Sequence, residues 1–169
     1  MYKLFYDVPA EGYRELYGEE QLEKYKTALK NIELNFDRIL DVGCGIGLLA
    51  ENLRSLGFSG EYIGVDIDLE RVKSAEKVHG EYIIADAHHL PFRDKCFYIS
   101  TSFTVIHLLD LKKTLKEMQR VSEKLLILTL LKKRDDLKNL LIEEMKNIGK
   151  IVEIDVPSVK DYIFIIYLD

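Results

Sequence analysis

Tryptophan is absent, proline occurs three times and cysteine only twice in 169 residues. Cys44 and Cys96 stand far apart, with no CxxC and no His/Cys cluster, so neither a disulfide framework nor a zinc site is expected. No apolar run approaches the roughly 20 residues that a membrane span requires. The opening stretch, "MYKLFYDVPAEGYRELYGEE", lacks the basic start and apolar middle of a signal peptide. A cytoplasmic protein without metal and without membrane contact is the expectation. There is no internal repeat, low-complexity tract or Pro/Ser-rich linker, and the length suits one domain with a substantial core. Nor is there an excess of base: 24 Lys and Arg face 29 Asp and Glu, a net charge of −5, which argues against broad nonspecific nucleic-acid binding.

The charge is uneven along the chain. Residues 1–110 hold 12 Lys and Arg against 19 Asp and Glu, whereas residues 111–169 hold 12 against 10. The basic clusters "LKKT" and "LLKKRDD" in the second part either meet phosphates or form a solvated face. Abundant Lys, Glu, Leu and Ile fit a thermophile.

Hydrophobic periodicity predicts alternating elements. Gly18 to Asn31 reads as a helix with Leu22, Tyr25 and Leu29 on one face. "FDRILDVG" is a short, nearly continuous apolar strand. "GLLAENLRSLG" is a helix closed by Gly57, with Leu48, Leu49 and Leu53 inward. "EYIGVD" is the second strand, and Asp68 caps the helix "LERVKSAEKVHG". "EYIIAD", "CFYISTSF" and "KLLILTLL" are further strands, with a helix through "LKKTLKEMQRVS". "DDLKNLLIEEMKNIG" is a helix, and "KIVEIDV" and "DYIFIIYLD" close the chain as a hairpin. Such alternation means an α/β fold with a mostly parallel, doubly wound, Rossmann-like sheet covered on both faces.

Ligands of such sheets sit beyond the carboxyl ends of the strands, near the point where strand order reverses. The residues there are telling. Gly43, Gly45 and Gly47 lack Cβ atoms, so the turn between the first strand and its helix is able to bend sharply and approach a ligand, or simply to pack the helix closely. Asp66 ends the second strand, 19 residues after Gly47, where a carboxylate accepts hydrogen bonds from ribose hydroxyls. Asp86 ends the third strand and either receives an exocyclic amino group or forms the turn before "HHLPF". Together they describe a pocket for a nucleoside with a polar tail. A pyrophosphate-binding turn would want glycine at 48, where Leu48 stands, and Asp41 places negative charge near the tail. An amino-acid tail therefore fits better than a diphosphate.

These stretches, "ILDVGCGIG", "YIGVDID", "EYIIADAHHLPF" and "CFYISTSFTVIHLL", resemble consecutive motifs of class I S-adenosylmethionine-dependent methyltransferases, in the broad group typified by ubiquinone-pathway enzymes. The resemblance runs from about Asn35 to Thr129 and implies S-adenosylmethionine as cofactor and seven strands, the last antiparallel. It places Asp41, Gly43, Cys44 and Gly45 around the methionine part, Asp66 on the ribose and Ile67 on the adenine. Asp86 would meet the adenine amino group with Ala87 beside it, and Ser102 and Phe103 would face the sulfonium. Three departures stand out: Tyr98 replaces a common acid, His107-Leu108 replaces a common His pair, and "VSEKLLIL" lacks a Pro-Gly-Gly lead-in. There is no "NPPY"-type stretch, which disfavours methylation of amino-purines or glutamine amides.

His107 is the one obvious base near the expected site, though a histidine at an apolar helix start also serves structure. His88 and His89 read as solvated loop residues or as lining for the adenine end. Residues 1–34 are expected to form a helical lid on a core of residues 35–169, with Tyr13 and Tyr17 presenting one aromatic face to the cleft or packing the helix down. The chain is short after the fifth strand, so the site lacks a cap. That favours RNA or protein over a small molecule as methyl acceptor. The resemblance puts the third strand at the sheet edge, where Tyr82, Ile83 and Ile84 invite strand addition by a small activator protein. Rival readings are a non-catalytic nucleoside-binding homologue with a regulatory or scaffold role, and a nicotinamide-dependent oxidoreductase, which Leu48 disfavours.

Overall fold

The computed structural model describes residues 8–169, and residues 1–7 of the expected lid segment lie outside the described residues. Seven strands form a single sheet in the order β3-β2-β1-β4-β5-β7-β6. They are β1 (Arg38–Val42), β2 (Glu61–Asp66), β3 (Glu81–Ile84), β4 (Phe97–Ser102), β5 (Ser122–Leu131), β6 (Gly149–Ile154) and β7 (Asp161–Leu168). The first five pair in parallel, and β7 runs antiparallel between β5 and β6. The order reverses between β1 and β4, which puts the switch point beside the glycine-rich turn. β3 and β6 are the two edge strands.

Five helices cover the faces: α1 (Ala10–Leu29), α2 (Leu48–Leu53), α3 (Leu69–Ala75), α4 (Leu111–Val121) and α5 (Lys138–Lys146). Strand residues divide by parity, as the pleat requires. Ile39, Ile99, Ile127, Ile163 and Ile165 pack with Tyr25, Leu29, Leu49 and Leu53 from α1 and α2. Leu40, Val65, Leu126, Leu128, Phe164 and Ile166 pack with Leu115, Met118, Leu141 and Met145 from α4 and α5. Both faces are apolar, which explains why the strands read as near-continuous hydrophobic runs.

Local signals end several elements where the residues dictate. Asp68 accepts the N–H groups of Glu70 and Arg71, and Asp110 accepts that of Lys113, so both act as N-caps. Gly57 takes φ +98° and stops α2, with the Phe58 N–H returning to the Leu53 carbonyl. The expected helix from Gly18 instead begins at Ala10. Its inward face is Gln21, Lys24, Tyr25, Ala28 and Leu29, a helical spacing with two polar side chains that an apolar count passes over. The last helix is interrupted: residues 132–137 form a 3₁₀ segment kinked at Arg134, and α5 starts only at Lys138. Tyr98, the departure at the start of β4, stacks on Phe36 with ring planes 5° apart.

The long connection between β3 and β4 is fastened by one side chain. Arg120 of α4 donates to the carbonyls of Leu90 and Phe92 and to the carboxylates of Asp94 and Glu117, while Glu117 accepts the Leu90 N–H. Both carbonyls lose a charged donor in Arg120→Ala, so that variant should lose about 1–2 kcal/mol of stability. Urea unfolding followed by circular dichroism checks this, with a lower midpoint and an unchanged slope as the expected result.

Candidate active site

The turn from β1 into α2 is built on three left-handed glycines: Gly43 at φ +76°, Gly45 at +55° and Gly47 at +82°. Their roles differ. A Cβ on Gly43 would lie 2.7 Å from the Val105 side chain, and one on Gly47 would lie 2.8 Å from the Tyr82 hydroxyl, so both are bare because neighbours fill the space. A Cβ on Gly45 would meet nothing nearer than the Arg71 guanidinium at 3.9 Å. Of the three, only Gly45 has room beside its backbone for a Cβ. The Val65 carbonyl anchors the turn by accepting the N–H groups of Gly43 and Cys44, at 2.8 and 2.9 Å.

Asp66 closes β2 inside the protein. One carboxylate oxygen accepts the Gly45 N–H at 2.9 Å and the other accepts the Asp68 N–H at 3.0 Å, so the group ties two successive loops together. Burial raises its pKa, and the two amide donors oppose that rise. Asp41, near the end of β1, is buried as well. The Tyr62 hydroxyl donates to it at 2.7 Å and the Thr101 hydroxyl at 3.0 Å. Burial nevertheless pushes its pKa up to about 6.

The other expected residues are dispersed along this edge. Cys44 is buried with its sulfur against Gly64, and burial drives its thiol pKa far upward, so it is inert wall material. Ile67 is exposed after β2. Asp86 forms a turn: it accepts the His88 N–H at 2.9 Å and pairs with His88 Nδ1 at 2.7 Å, which lowers its pKa. His88 is no free loop residue, because its Nε2 accepts the Asp110 N–H at the start of α4. Ala87 follows, half-buried. Ser102 lies within the sheet with its hydroxyl buried and unpartnered, and it does not line the cavity; Phe103, Thr104 and Val105 do. His107 sits in a 3₁₀ turn with Nδ1 buried and unpartnered, and burial lowers its pKa, keeping the ring neutral at pH 7.

Between the glycine turn and α1 lies a cavity of about 40 Å³, lined by Asp41, Gly43, Gly45, Arg71, Phe103 and Thr104 together with Tyr13, Gln21 and Tyr25 of α1. That holds about one water molecule. A cleft of about 1310 Å³ opens at the opposite, amino ends of the strands, around Arg38, Glu61 and Tyr98, but it has no comparable convergence of bare backbone and buried carboxylates. The small cavity is the site the fold rule selects. Of the two tyrosines expected on one face, the rings of Tyr13 and Tyr17 touch, with centroids 5.0 Å apart, but only Tyr13 reaches the cavity. Arg71 lies 5.0 Å over the Tyr13 ring and donates to the Val8 carbonyl. Arg71 and Thr104 escaped the sequence reading because nothing in a helical Arg or a Thr after a strand marks a binding role. Among the described residues, no group of three or more His, Cys, Asp or Glu is placed to hold a metal ion, and no helix is long and apolar enough to cross a membrane.

A seven-stranded doubly wound sheet, with a glycine turn and two buried carboxylates at its switch point, defines a nucleoside-binding class of α/β protein. Residues 40–125 match the family described as "Methyltransferase domain", and the chain belongs to the class I S-adenosylmethionine-dependent methyltransferases, whose cofactor is S-adenosylmethionine. A demethylmenaquinone methyltransferase of Thermotoga maritima is 35% identical over 106 residues, covering 59% of this chain and 46% of that one. The chain spans between a third and just over half of the length of the curated relatives it matches. By shape it resembles the PH0226 protein of Pyrococcus horikoshii (TM-score 0.76, 20% identity, 89% and 91% of the two chains). It also resembles a chain from the complex of the Haloferax volcanii Trm112 methyltransferase activator with a methyltransferase (TM-score 0.75, 15% identity, 94% and 93%). At these identities the two structures speak for the fold alone.

The Asp41 carboxyl has a measurable consequence. The folded protein keeps its proton up to about pH 6, whereas an unfolded aspartate releases it near pH 4. The folded form therefore binds more protons within that window, and stability falls as pH rises through it. Asp41→Asn should flatten this dependence, by up to about 3 kcal/mol between pH 4 and pH 6. Urea midpoints of both proteins across that range provide the measurement.

Proposed function

We propose that the protein transfers a methyl group from S-adenosylmethionine to an acceptor on RNA or protein. The observation that carries the binding reading is the left-handed Gly45 backbone, whose N–H is held by the buried Asp66 carboxylate, at a cavity that Asp41 also lines. The residues present fit the cofactor. Asp41 is a buried anion for an ammonium group, and each Asp66 oxygen keeps a lone pair beyond its amide bond for ribose hydroxyls. Gly43, Cys44, Gly45 and Gly47 would form the turn around the methionine part. Ile67, Asp86 and Ala87 would border the adenine, and Phe103 and Thr104 the sulfonium end. When bound, the cofactor supplies an already electrophilic methyl group. The chain's tasks are then to orient the acceptor, exclude water and, where the acceptor carries a proton, remove it. Neutral His107 is the group proposed for that last task.

A cavity of 40 Å³ does not hold a nucleoside, since ligand pockets run to several hundred Å³. Admission of the cofactor therefore displaces the Tyr13 end of α1, which is the lid in this reading. The macromolecular acceptor is favoured by the short connections at this edge. Residues 103–110 and 132–137 form only 3₁₀ turns and loop, and Leu108 in the first of them is exposed. The basic clusters weigh less in the structure, because Lys113, Lys132 and Arg134 are paired with Asp110, Asp155 and Asp136. An activator subunit is a second proposal. Of the edge residues Tyr82, Ile83 and Ile84, Ile84 is about half exposed while Tyr82 and Ile83 pack against the core, and strand addition at the unpaired edge of β3 would cover Ile84.

Calorimetry with S-adenosylmethionine and S-adenosylhomocysteine should detect binding, and Asp66→Ala should weaken it by about tenfold or more. No binding by the native protein defeats the proposal. Transfer of labelled methyl into fractionated cell extract then reads the acceptor. Label in RNA or protein supports the reading; label in small molecules replaces the acceptor; binding without any transfer favours the non-catalytic homologue.

A further inference from the structure

Beside the cavity lies a buried ionic knot that cofactor chemistry does not call for. Lys24 of α1 and Asp161, the first residue of β7, both have side chains with no exposed surface, and their charged ends are 3.0 Å apart. The Lys24 ammonium also donates to the Thr104 hydroxyl at 2.5 Å, and that hydroxyl donates to the second Asp161 oxygen at 3.1 Å. The Thr104 N–H is held in turn by the Thr129 hydroxyl of β5, at 2.8 Å. Three elements distant in sequence thus converge on one residue after β4.

That residue is strained. Thr104 takes φ +59°, a left-handed backbone that β-branched side chains rarely adopt. It lines the cavity, and Val105 directly after it is the side chain that fills the space beside Gly43. An ion pair so deeply buried is seldom a net source of stability, because desolvating both charges offsets their attraction, so apolar residues of like volume often do as well. Burial indeed lowers the Lys24 pKa, with Asp161 opposing. A strained backbone held by an expensive interaction beside a ligand cavity is a reason to look for function.

We infer that Lys24 and Asp161 are positioning residues: they clamp Thr104 in its left-handed turn, and the turn in turn sets Val105 against Gly43 and fixes the cavity wall. The inference rests on the reading of the cavity as the S-adenosylmethionine site. It also assigns a division of labour within α1, whose Lys24 end stays clamped while the Tyr13 end moves.

The test compares Thr104→Val with Thr104→Gly, using S-adenosylhomocysteine as the probe in calorimetry. Both lose the hydroxyl, but glycine adopts the left-handed turn unaided, whereas valine resists it. Thr104→Val should bind about tenfold more weakly than Thr104→Gly, a difference that reads the turn because the lost hydroxyl is common to both. A double variant, Lys24→Met with Asp161→Leu, should keep its melting temperature within about 3 °C yet lose about tenfold in affinity. Adding Thr104→Gly to that pair should raise affinity to the level of Thr104→Gly alone, a rescue that a purely structural role would not produce. Equal affinity of the valine and glycine variants overturns the inference, and so does native affinity in a folded double variant. Failure of the native protein to bind the probe is a different result: it removes the reading of the cavity itself, and this inference with it.

Discussion

Asp66 ends β2 with its carboxylate inside the protein, where it accepts the amide hydrogens of Gly45 and Asp68. These bonds join the loop after β1 to the loop after β2 and hold the glycine turn in place. Without an acceptor there, the Gly45 N–H would be left beside a buried wall, and an unpaired amide in such a place costs about 1–3 kcal/mol. The same loop is held from below by the Val65 carbonyl and from the side by Val105. The left-handed conformations of Gly43, Gly45 and Gly47 are thus imposed by contacts on three sides as well as permitted by the absence of Cβ.

Buried charge gathers at this one edge of the sheet. Asp41, Asp66, Arg71, Lys24 and Asp161 are each almost wholly enclosed, while the two faces are filled by apolar side chains. A fold that wanted only stability would put hydrocarbon at those positions, because burial disfavours every one of those charges. Each is met by a specific partner instead: hydroxyls on Asp41, amides on Asp66, Asp161 and Thr104 on Lys24. The result is an edge whose side chains have little freedom, which is the condition for orienting a reactant.

Much of the architecture was legible beforehand because both faces of the sheet are covered. Strands such as "KLLILTLL" and "DYIFIIYLD" are apolar on both sides, and the caps at Asp68 and Asp110 and the stop at Gly57 rest on short-range chemistry. The glycine turn and Asp66 were legible for the same reason, since both occupy fixed offsets from strand ends. Where the reading went astray, the deciding contacts were distant. The face of α1 includes Lys24, which pairs with Asp161 at the far end of the chain, and no window of local sequence records that. His88 looked like loop and proved to be a strut between Asp86 and Asp110. Ser102 is expected to face the sulfonium, but its hydroxyl is buried and outside the cavity lining, which Phe103 and the left-handed Thr104 join instead.

The amino-acid order by itself determined the alternation of strands and helices, the family, and which residues stand at the strand ends, because periodicity and turn chemistry act over a few residues. Tertiary structure alone decided which of those residues are buried, which of the three glycines has room for a Cβ, and which charges meet. Those outcomes depend on helices and strands a hundred residues apart coming into contact, and burial, the quantity that sets both pKa and hydrogen-bond strength, exists only once they do.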